Sequence, residues 1–309
     1  MTPEKTEEKT QAAFYQADFF SAIIQDLKLK AVHRFSTHNL FSLSNRPRQN
    51  PIRHVVQQGD LKTRITVRND AGMGVATVFD QDVLLFLVSV LVKERDETNY
   101  ISSRPEFSPS DYFHFKGIKK ASGKDHQNFF DALQRLQNTF VEVSLEGTDP
   151  QRKTGNRHII WNWISYIDLI TNENKTKVIA YRVEVPQAIV DAISKNQFLT
   201  VDRSYFKITS PIQRFLYLYA RKAVGRKREW TESISSLYKK TATEDKLAKF
   251  KWTLKKLEGV QLGAEPWVYT LKVDGDNVTF YGRDTVRASN IRQLKNVIGQ
   301  LTTSKTVGR

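Results

Sequence analysis

The sequence predicts an α+β fold in which one order of elements occurs twice in tandem, with polar tails at both ends. Three observations carry this. Lys119-Lys120 leads through a polar turn into a helix ending Leu133-Gln-Arg-Leu136, and Lys239-Lys240 leads through a similar turn into one ending Leu254-Lys-Lys-Leu257. Each helix has one apolar stripe and one basic or amide-rich face. Beyond each lie alternating apolar residues broken by turn residues, the pattern of a β-hairpin.

Size and charge narrow the class. The 309 residues suffice for about two domains. Apolar residues make up 39% of the chain, enough for packed cores. The net charge of +15 points to a polyanionic partner, most often nucleic acid. That charge is focused. Residues 203–260 hold 15 Lys and Arg against 5 Asp and Glu, a net of +10, whereas residues 1–27 hold 2 against 5. There is no cysteine, which excludes disulfides and Cys-ligated zinc modules and suits a reducing cytoplasm. The N-terminus is polar and lacks a signal-peptide core. The most apolar run, Val83-Leu-Leu-Phe-Leu-Val-Ser-Val-Leu-Val92, falls short of the ~20 residues a membrane span needs and reads as a buried core helix.

Taken in order, residues 1–38 form an N-terminal arm with an amphipathic stretch at 14–29. Residues 39–48, basic and Pro-containing, read as irregular. Ile65-Thr-Val67 and Val75-Ala-Thr-Val78, separated by Gly72 and Gly74, read as a small hairpin. Asp80 caps the buried helix, which runs to about Glu94, and capping accounts for Asp82 as well. Phe107 is extended. Ser108-Pro-Ser-Asp111 opens a second helix that Gly117 ends, and a third follows to Asn138. Strands are predicted at 140–145, 158–169 and 178–185. The polar loop 148–156 between the first two carries Arg152 and Lys153, with Arg157 beside it. Three helices and a hairpin with a basic tip is the order of a winged helix.

The second unit repeats it. Residues 186–195 start a helix, and Pro211 starts another with Ile212, Phe215, Leu216 and Tyr219 at helical spacing. Gly225 ends it before Arg226-Lys227-Arg228. Helices at 231–240 and 243–257 follow. Tyr269, Leu271 and Val273 alternate inward, Asp274-Gly275 turns, and Val278-Thr-Phe280 returns. The predicted domains are therefore 39–185 and 186–284, each a winged helix, with a polar tail at 285–309.

The two third helices differ in chemistry. In the first, Phe129, Phe130, Ala132, Leu133 and Leu136 form the apolar side, opposite Lys124, Gln127, Asn128, Asp131, Gln134 and Arg135. Amides pair with adenine edges and Arg with guanine, so this face suits base readout. In the second, Leu247, Phe250, Leu254 and Leu257 form the stripe, with Lys249, Trp252 and Lys256 pointing away, flanked by Lys251 and Lys255. Lysines without amides suit phosphate contact. Trp252 either packs on a sugar or base or covers another element of its own domain.

Catalytic chemistry is missing. The six histidines include neither the His-x-His pair of a strand-nicking initiator nor the His-x-x-Arg element of a tyrosine recombinase. Gly117 to Asp125 resembles a phosphate loop, but its second Gly comes one residue late and Asp125 stands where Ser or Thr is needed. No catalytic residue, metal site, cofactor or membrane partner is expected.

Several segments resemble the plasmid replication initiator protein A family. They are Asn39-Leu-Phe-Ser-Leu-Ser-Asn-Arg-Pro-Arg48, Gly74-Val-Ala-Thr-Val-Phe-Asp80 with Asp82, Phe107 with Ser110-Asp111-Tyr112, Ala132-Leu-Gln-Arg-Leu136 with Thr139, Tyr205-Phe206, and Arg214-Phe-Leu-Tyr-Leu-Tyr-Ala-Arg-Lys222. The resemblance covers about residues 39–260. It implies a cytoplasmic bacterial protein with two winged-helix units. Such a protein binds repeated sites in double-stranded origin DNA, helps open the duplex, recruits the host initiator and helicase machinery, and represses its own gene as a homodimer. In this reading Gln127, Asn128, Gln134 and Arg135 read base edges. Lys119, Lys120 and Lys124 anchor that helix to phosphate. Arg226, Lys227, Arg228, Lys249, Lys255 and Lys256 do the same in the second unit, with Trp252 beside them. Arg152, Lys153 and Arg157 touch the backbone or minor groove. Two other readings share these residues: a transcriptional regulator with no origin function, and a DNA-nicking or recombining enzyme.

Overall fold

The computed structural model describes residues 30–32, 38–58, 60–147, 156–225 and 227–283. The expectations for residues 1–29 and 33–37 of the arm, for the tail, for the loop 148–155 and for Arg226 lie outside these residues. Among them the chain is a mixed α+β protein with antiparallel sheets.

Its first strands are β1 (Lys30–Val32), β2 (Ile52–Gln58) and β3 (Leu61–Asn69). Residues 39–48 are largely irregular, as expected. The predicted hairpin between 65–67 and 75–78 is not formed. Ile65 pairs instead with His54 across β2–β3, and Val75 bridges to Arg48. Gly74 explains the second contact. Its φ is +76°, and a Cβ there would lie 2.7 Å from Pro47 Cβ, so only glycine lets the two segments meet.

Helix α1 (Gln81–Thr98) carries the apolar run, and its residues Val83 to Val92 are all buried. Strand β4 (Glu106–Phe107) follows, then α2 (Pro109–Phe115), started by a Ser108–Asp111 capping box. A second such box, Ser122–Asp125, starts α3 (Gly123–Asn138). The predicted strand 158–169 is two strands, β6 (Arg157–Asn162) and β7 (Tyr166–Thr171). Trp163 and Ile164 between them are both fully buried, which no strand with one solvated face allows. The break sends the two strands to different sheets. β5 (Thr139–Glu146) and β6 join β2 and β3 in the order β2-β3-β5-β6, while β7 and β8 (Val178–Glu184) join β4 in the order β4-β8-β7. The hairpin that closes on the first unit's short strand is therefore β7–β8, not the 148–156 hairpin.

Next come α4 (Gln187–Ser194), β9 (Phe198–Thr200, paired with β1) and a 3-10 turn at Arg203–Lys207. Helix α5 (Pro211–Ala223) opens the second unit. Residues 231–233, expected to begin a helix, belong instead to β10 (Glu229–Ser233) against the hairpin, and α6 (Ile234–Thr241) starts only at the Ser233 cap. Helix α7 (Leu247–Lys256) and the predicted hairpin, β11 (Thr270–Asp274) and β12 (Asn277–Tyr281), complete it in the order β10-β12-β11. Both units thus run helix, short strand, helix, helix and a closing hairpin, with β5 and β6 inserted before that hairpin in the first unit. In both the last strand lies between the other two.

The units share one continuous core. Asp82 and Asp80 do not cap α1 with their side chains. Asp82 is fully buried and accepts from Arg214 Nη1 of α5 at 2.5 Å, with Lys116 Nζ 2.8 Å from its other oxygen. Arg214 Nε donates to the Ile208 carbonyl at 2.7 Å, and its guanidinium lies 4.5 Å from the Phe79 ring and 4.8 Å from Tyr205. Burial opposes the charge on Arg214 and Lys116, but Asp82 outweighs it and raises both pKa values. On another side of the seam, His54 of β2 approaches the Asn39 carbonyl at 2.7 Å and packs edge-on against His38 at 5.2 Å.

Two expectations follow. Arg214→Ala leaves a buried carboxylate with one partner gone and costs about 3–5 kcal/mol in urea unfolding, whereas Asp82→Asn with Arg214→Met costs much less. Equal losses in the two variants would remove the buried pair from this role. The second concerns pH. Burial, then His54, Lys240 and Lys222, lower the His38 pKa from 6.5 to about 4, against an opposing effect of Glu232. The folded state then binds fewer protons than the unfolded chain between those values, so stability is full above the upper one and falls as pH drops through the window. The unfolding midpoint is expected to be lower at pH 5 than at pH 7, with a smaller difference in His38→Asn. A midpoint independent of pH over that range would contradict this.

Candidate nucleic-acid interface

The capping box fixes where α3 begins, and its apolar stripe fixes which way it faces. Phe129, Ala132, Leu133 and Leu136 are buried, with the Phe129 ring 4.5 Å from Tyr112 and 5.3 Å from Tyr181. The opposite side is open to solvent. Lys119 and Lys120 in the preceding turn are exposed, and so are Lys124, Gln127 and Asn128 on the helix, while Gln134 is half-buried. Gln127 Nε2 donates to Asp131 Oδ1 one turn on, at 2.7 Å. Asp125 keeps its carboxyl below the usual range by accepting from the Ser122 hydroxyl and N–H.

Arg135 does not stand free on this face. Its guanidinium grips Asp80 with two bonds, Nε to Oδ2 at 2.9 Å and Nη2 to Oδ1 at 2.7 Å. Asp80 also accepts from the Thr77 N–H at 2.7 Å and its hydroxyl at 3.0 Å. Burial disfavours the Arg135 charge, but the bonds from Asp80 more than compensate and raise its pKa. The pair ties the last turn of α3 to the start of α1. A polar cleft of about 440 Å³ beside it takes Thr77, Asp80, Asn128, Asp131 and Arg135 as walls.

Helix α7 buries Phe250 and Leu254, but Leu247, expected in the stripe, is 39% exposed because the helix starts there. Lys249 pairs with Asp245 at 2.7 Å and Lys251 with Asp276 at 2.5 Å. Lys255 and Lys256 are exposed. Trp252 is 55% exposed, with Lys256 Nζ 3.7 Å from its ring centroid. Lys227 and Arg228 are exposed ahead of β10, Lys227 lying 4.6 Å from the Trp230 ring. Lys240, half of the second Lys-Lys pair, points inward and bonds Glu232, which Ser236 Oγ also reaches at 2.5 Å.

The structure thus brings Lys119, Lys120, Lys124, Gln127 and Asn128 together on one face, and Lys249, Trp252, Lys255 and Lys256 on another. Arg157 lies at the start of β6, opposite Leu145 in the four-stranded sheet. Arg152, Lys153 and Arg226 fall outside the described residues. The sequence reading missed the groups that position α7. The carbonyls ending α6, the helix before it, are capped from the first unit. Asn39 N donates to Lys240 O at 2.9 Å, Asn39 Nδ2 to Thr241 O at 3.0 Å, and Arg48 Nη1 to Ala242 O at 2.9 Å. A guanidinium there also complements the negative end of the helix. The irregular, basic character of residues 39–48 was the one available signal. Among the described residues, no group of three or more His, Asp or Glu is placed to hold a metal ion, and no helix is long and apolar enough to cross a membrane.

Comparison with known proteins gives this arrangement a family. The replication initiator protein A model matches residues 31–262, and the chain belongs to that family. A curated relative from Wigglesworthia glossinidia brevipalpis, named "Putative replication protein", is 30% identical over 187 residues, 60% of this chain and 66% of that one, so the match spans just under two thirds of the relative. Among solved structures, domains 2 and 3 of RctB superpose with a TM-score of 0.58 at 15% identity, over 81% of this chain and 97% of that one, a likeness of fold.

Arg135→Ala removes a positioning contact and leaves Asp80 partly unpaired. The expected cost is about 2–3 kcal/mol in urea unfolding, with DNA affinity reduced alike on specific and random duplexes. Loss confined to one base position, without loss of stability, would return Arg135 to direct base readout.

Proposed function

We propose that this chain is a non-enzymatic, DNA-binding replication initiator acting in the bacterial cytoplasm. Each unit works as a winged helix, one in domain 39–185 and one in 186–284, with α4 leaning back on α1 through Arg95 Nη1 to the Ile193 carbonyl at 2.6 Å. The observation that carries this is the recurrence of one element order and one sheet order, each with an exposed cationic third helix. A lone charged helix is ordinary surface. Two in equivalent places suit a duplex.

In this reading α3 enters a major groove, where Gln127, Asn128 and Gln134 meet base edges and Lys119, Lys120 and Lys124 meet phosphates. Helix α7 grips the backbone through Lys249, Lys255 and Lys256, with Lys227 and Arg228 nearby and Trp252 against a sugar or base. Repeated sites at a plasmid origin, duplex opening, recruitment of the host initiator and helicase, and autorepression as a dimer complete the proposal. A regulator without origin function would use the same surface.

Footprinting on DNA flanking the gene is expected to show directly repeated protected sites. A lone inverted repeat at the promoter would favour the regulator, and no protection would overturn both readings. Asn128→Ala is expected to cost about 1–3 kcal/mol on the protected site and little on random duplex. Lys255→Gln with Lys256→Gln should weaken all sequences alike and flatten the salt dependence by roughly one unit of slope per lost phosphate contact.

A further inference from the structure

The hairpin that closes the first unit ends in residues 172–177, a turn that sequence patterning does not single out. By sheet order it corresponds to residues 274–277 of the second unit: it joins β7 and β8, which pair with β4, as that turn joins β11 and β12, which pair with β10. A groove of about 490 Å³ separates the base of this turn from the turn that leads into α3. Lys119 and His126 stand on the α3 side, His114 on α2, and Lys177 and Ile179 on the hairpin, with Phe113 beneath them. All but Phe113 are exposed, so lysine and histidine side chains stand in the walls among apolar ones, Ile118, Ala121, Val178 and Ile179, with Phe113 as the floor.

We propose that this groove seats one strand of the DNA duplex, with Lys175 and Lys177 contacting phosphates opposite Lys119. The inference rests on the DNA-binding reading above. Its warrant is charge complementarity and shape. The cationic rim meets backbone oxygens, and the apolar floor meets the deoxyribose edges between them. Ile179 is turned outward by a bulge, since Ala180 pairs with Ile170 but Val178 pairs with Thr171, which leaves Ile179 extra and 47% exposed. The turn is pre-shaped. Asn172 Oδ1 accepts from the N–H groups of Thr176 at 2.9 Å and Lys177 at 3.0 Å, and Lys175 sits at a φ of +54° with its N–H on the Asn172 carbonyl. A lysine presented from a fixed turn loses less entropy on binding. Glu173 is the one acid in this turn, against two lysines.

The second unit cannot copy this contact. Its turn carries Asp274 and Asp276, and Asp276 already pairs with Lys251. Phosphate is repelled there. The duplex is therefore held unequally, by helix and hairpin in the first unit and by helix alone in the second.

The test removes Lys175 and Lys177 together as glutamines, in the full chain, and measures binding to a short random-sequence duplex and to DNA flanking the gene. Affinity at physiological salt should fall on the order of tenfold on both, and the slope of log affinity against log salt should flatten by about two. Lys195→Gln with Lys207→Gln removes the same charge from exposed sites outside the groove and should leave the slope unchanged. Equal effects from the two pairs, or none from the first, would overturn the groove while leaving the DNA-binding reading intact. If the unaltered protein binds neither duplex, that reading itself fails. A photo-crosslinking residue at Ile179 should attach to labelled duplex. Attachment only to a second copy of the chain would assign the groove to a protein contact and overturn the proposal.

Discussion

A carboxylate with no solvent exposure sits in the first turn of α1, and its partners come from two other elements. Arg214 reaches it from α5 and Lys116 from the end of α2. A buried charge is costly, by several kcal/mol, unless it is paired and hydrogen-bonded. Helix α1 therefore cannot settle into the core until α2 and α5 are placed beside it. Because α5 belongs to the second unit, the pair makes the packing of one unit a condition of the other. Arg214 also touches Phe79 and Tyr205 and donates to the Ile208 carbonyl, so the approach to α5 is set by the same side chain.

From that seam the positions of both candidate DNA helices follow. Asp80, two residues before Asp82, holds Arg135 at the far end of α3. Asn39 and Arg48 of the first unit cap α6, and α6 leads directly into α7. The basic residues thus fall into two populations. Arg214, Lys116, Arg135 and Lys240 are bound to acids inside the structure and hold it together. Lys119, Lys120, Lys124, Lys227, Arg228, Lys255 and Lys256 face solvent. Only the second group can lend its charge to a polyanion, so the net charge alone overstates how many cations face outward and says nothing of where they sit.

Much of the local structure was legible in the sequence because its causes are local. Ser108-Pro-Ser-Asp111 announces α2 through a helix-opening residue followed by proline at the first position, and the apolar spacing from Phe129 to Leu136 announces α3. The apolar run announces α1, and Asp274-Gly275 announces the last hairpin. Failures came where a neighbour distant in sequence decides. Residues 65–67 alternate whether they pair with 75–78 or with 52–58. Residues 229–233 alternate as a strand only because β12 lies beside them. The run 158–169 looks like one strand until Trp163 and Ile164 are buried together and the chain passes from one sheet to another.

The sequence by itself determined the α+β class, the tandem order of helices and hairpins, and a basic, amide-bearing face on α3 beside a lysine-rich face on α7. Those follow from spacing, caps and side-chain type within short windows. The tertiary structure alone decided which hairpin closes the first unit, that Arg135 serves Asp80, and that the first unit caps the helix leading to α7. Each of these depends on which residues far apart in the chain meet, and pairing across a sheet or a buried seam leaves no periodic mark on either partner.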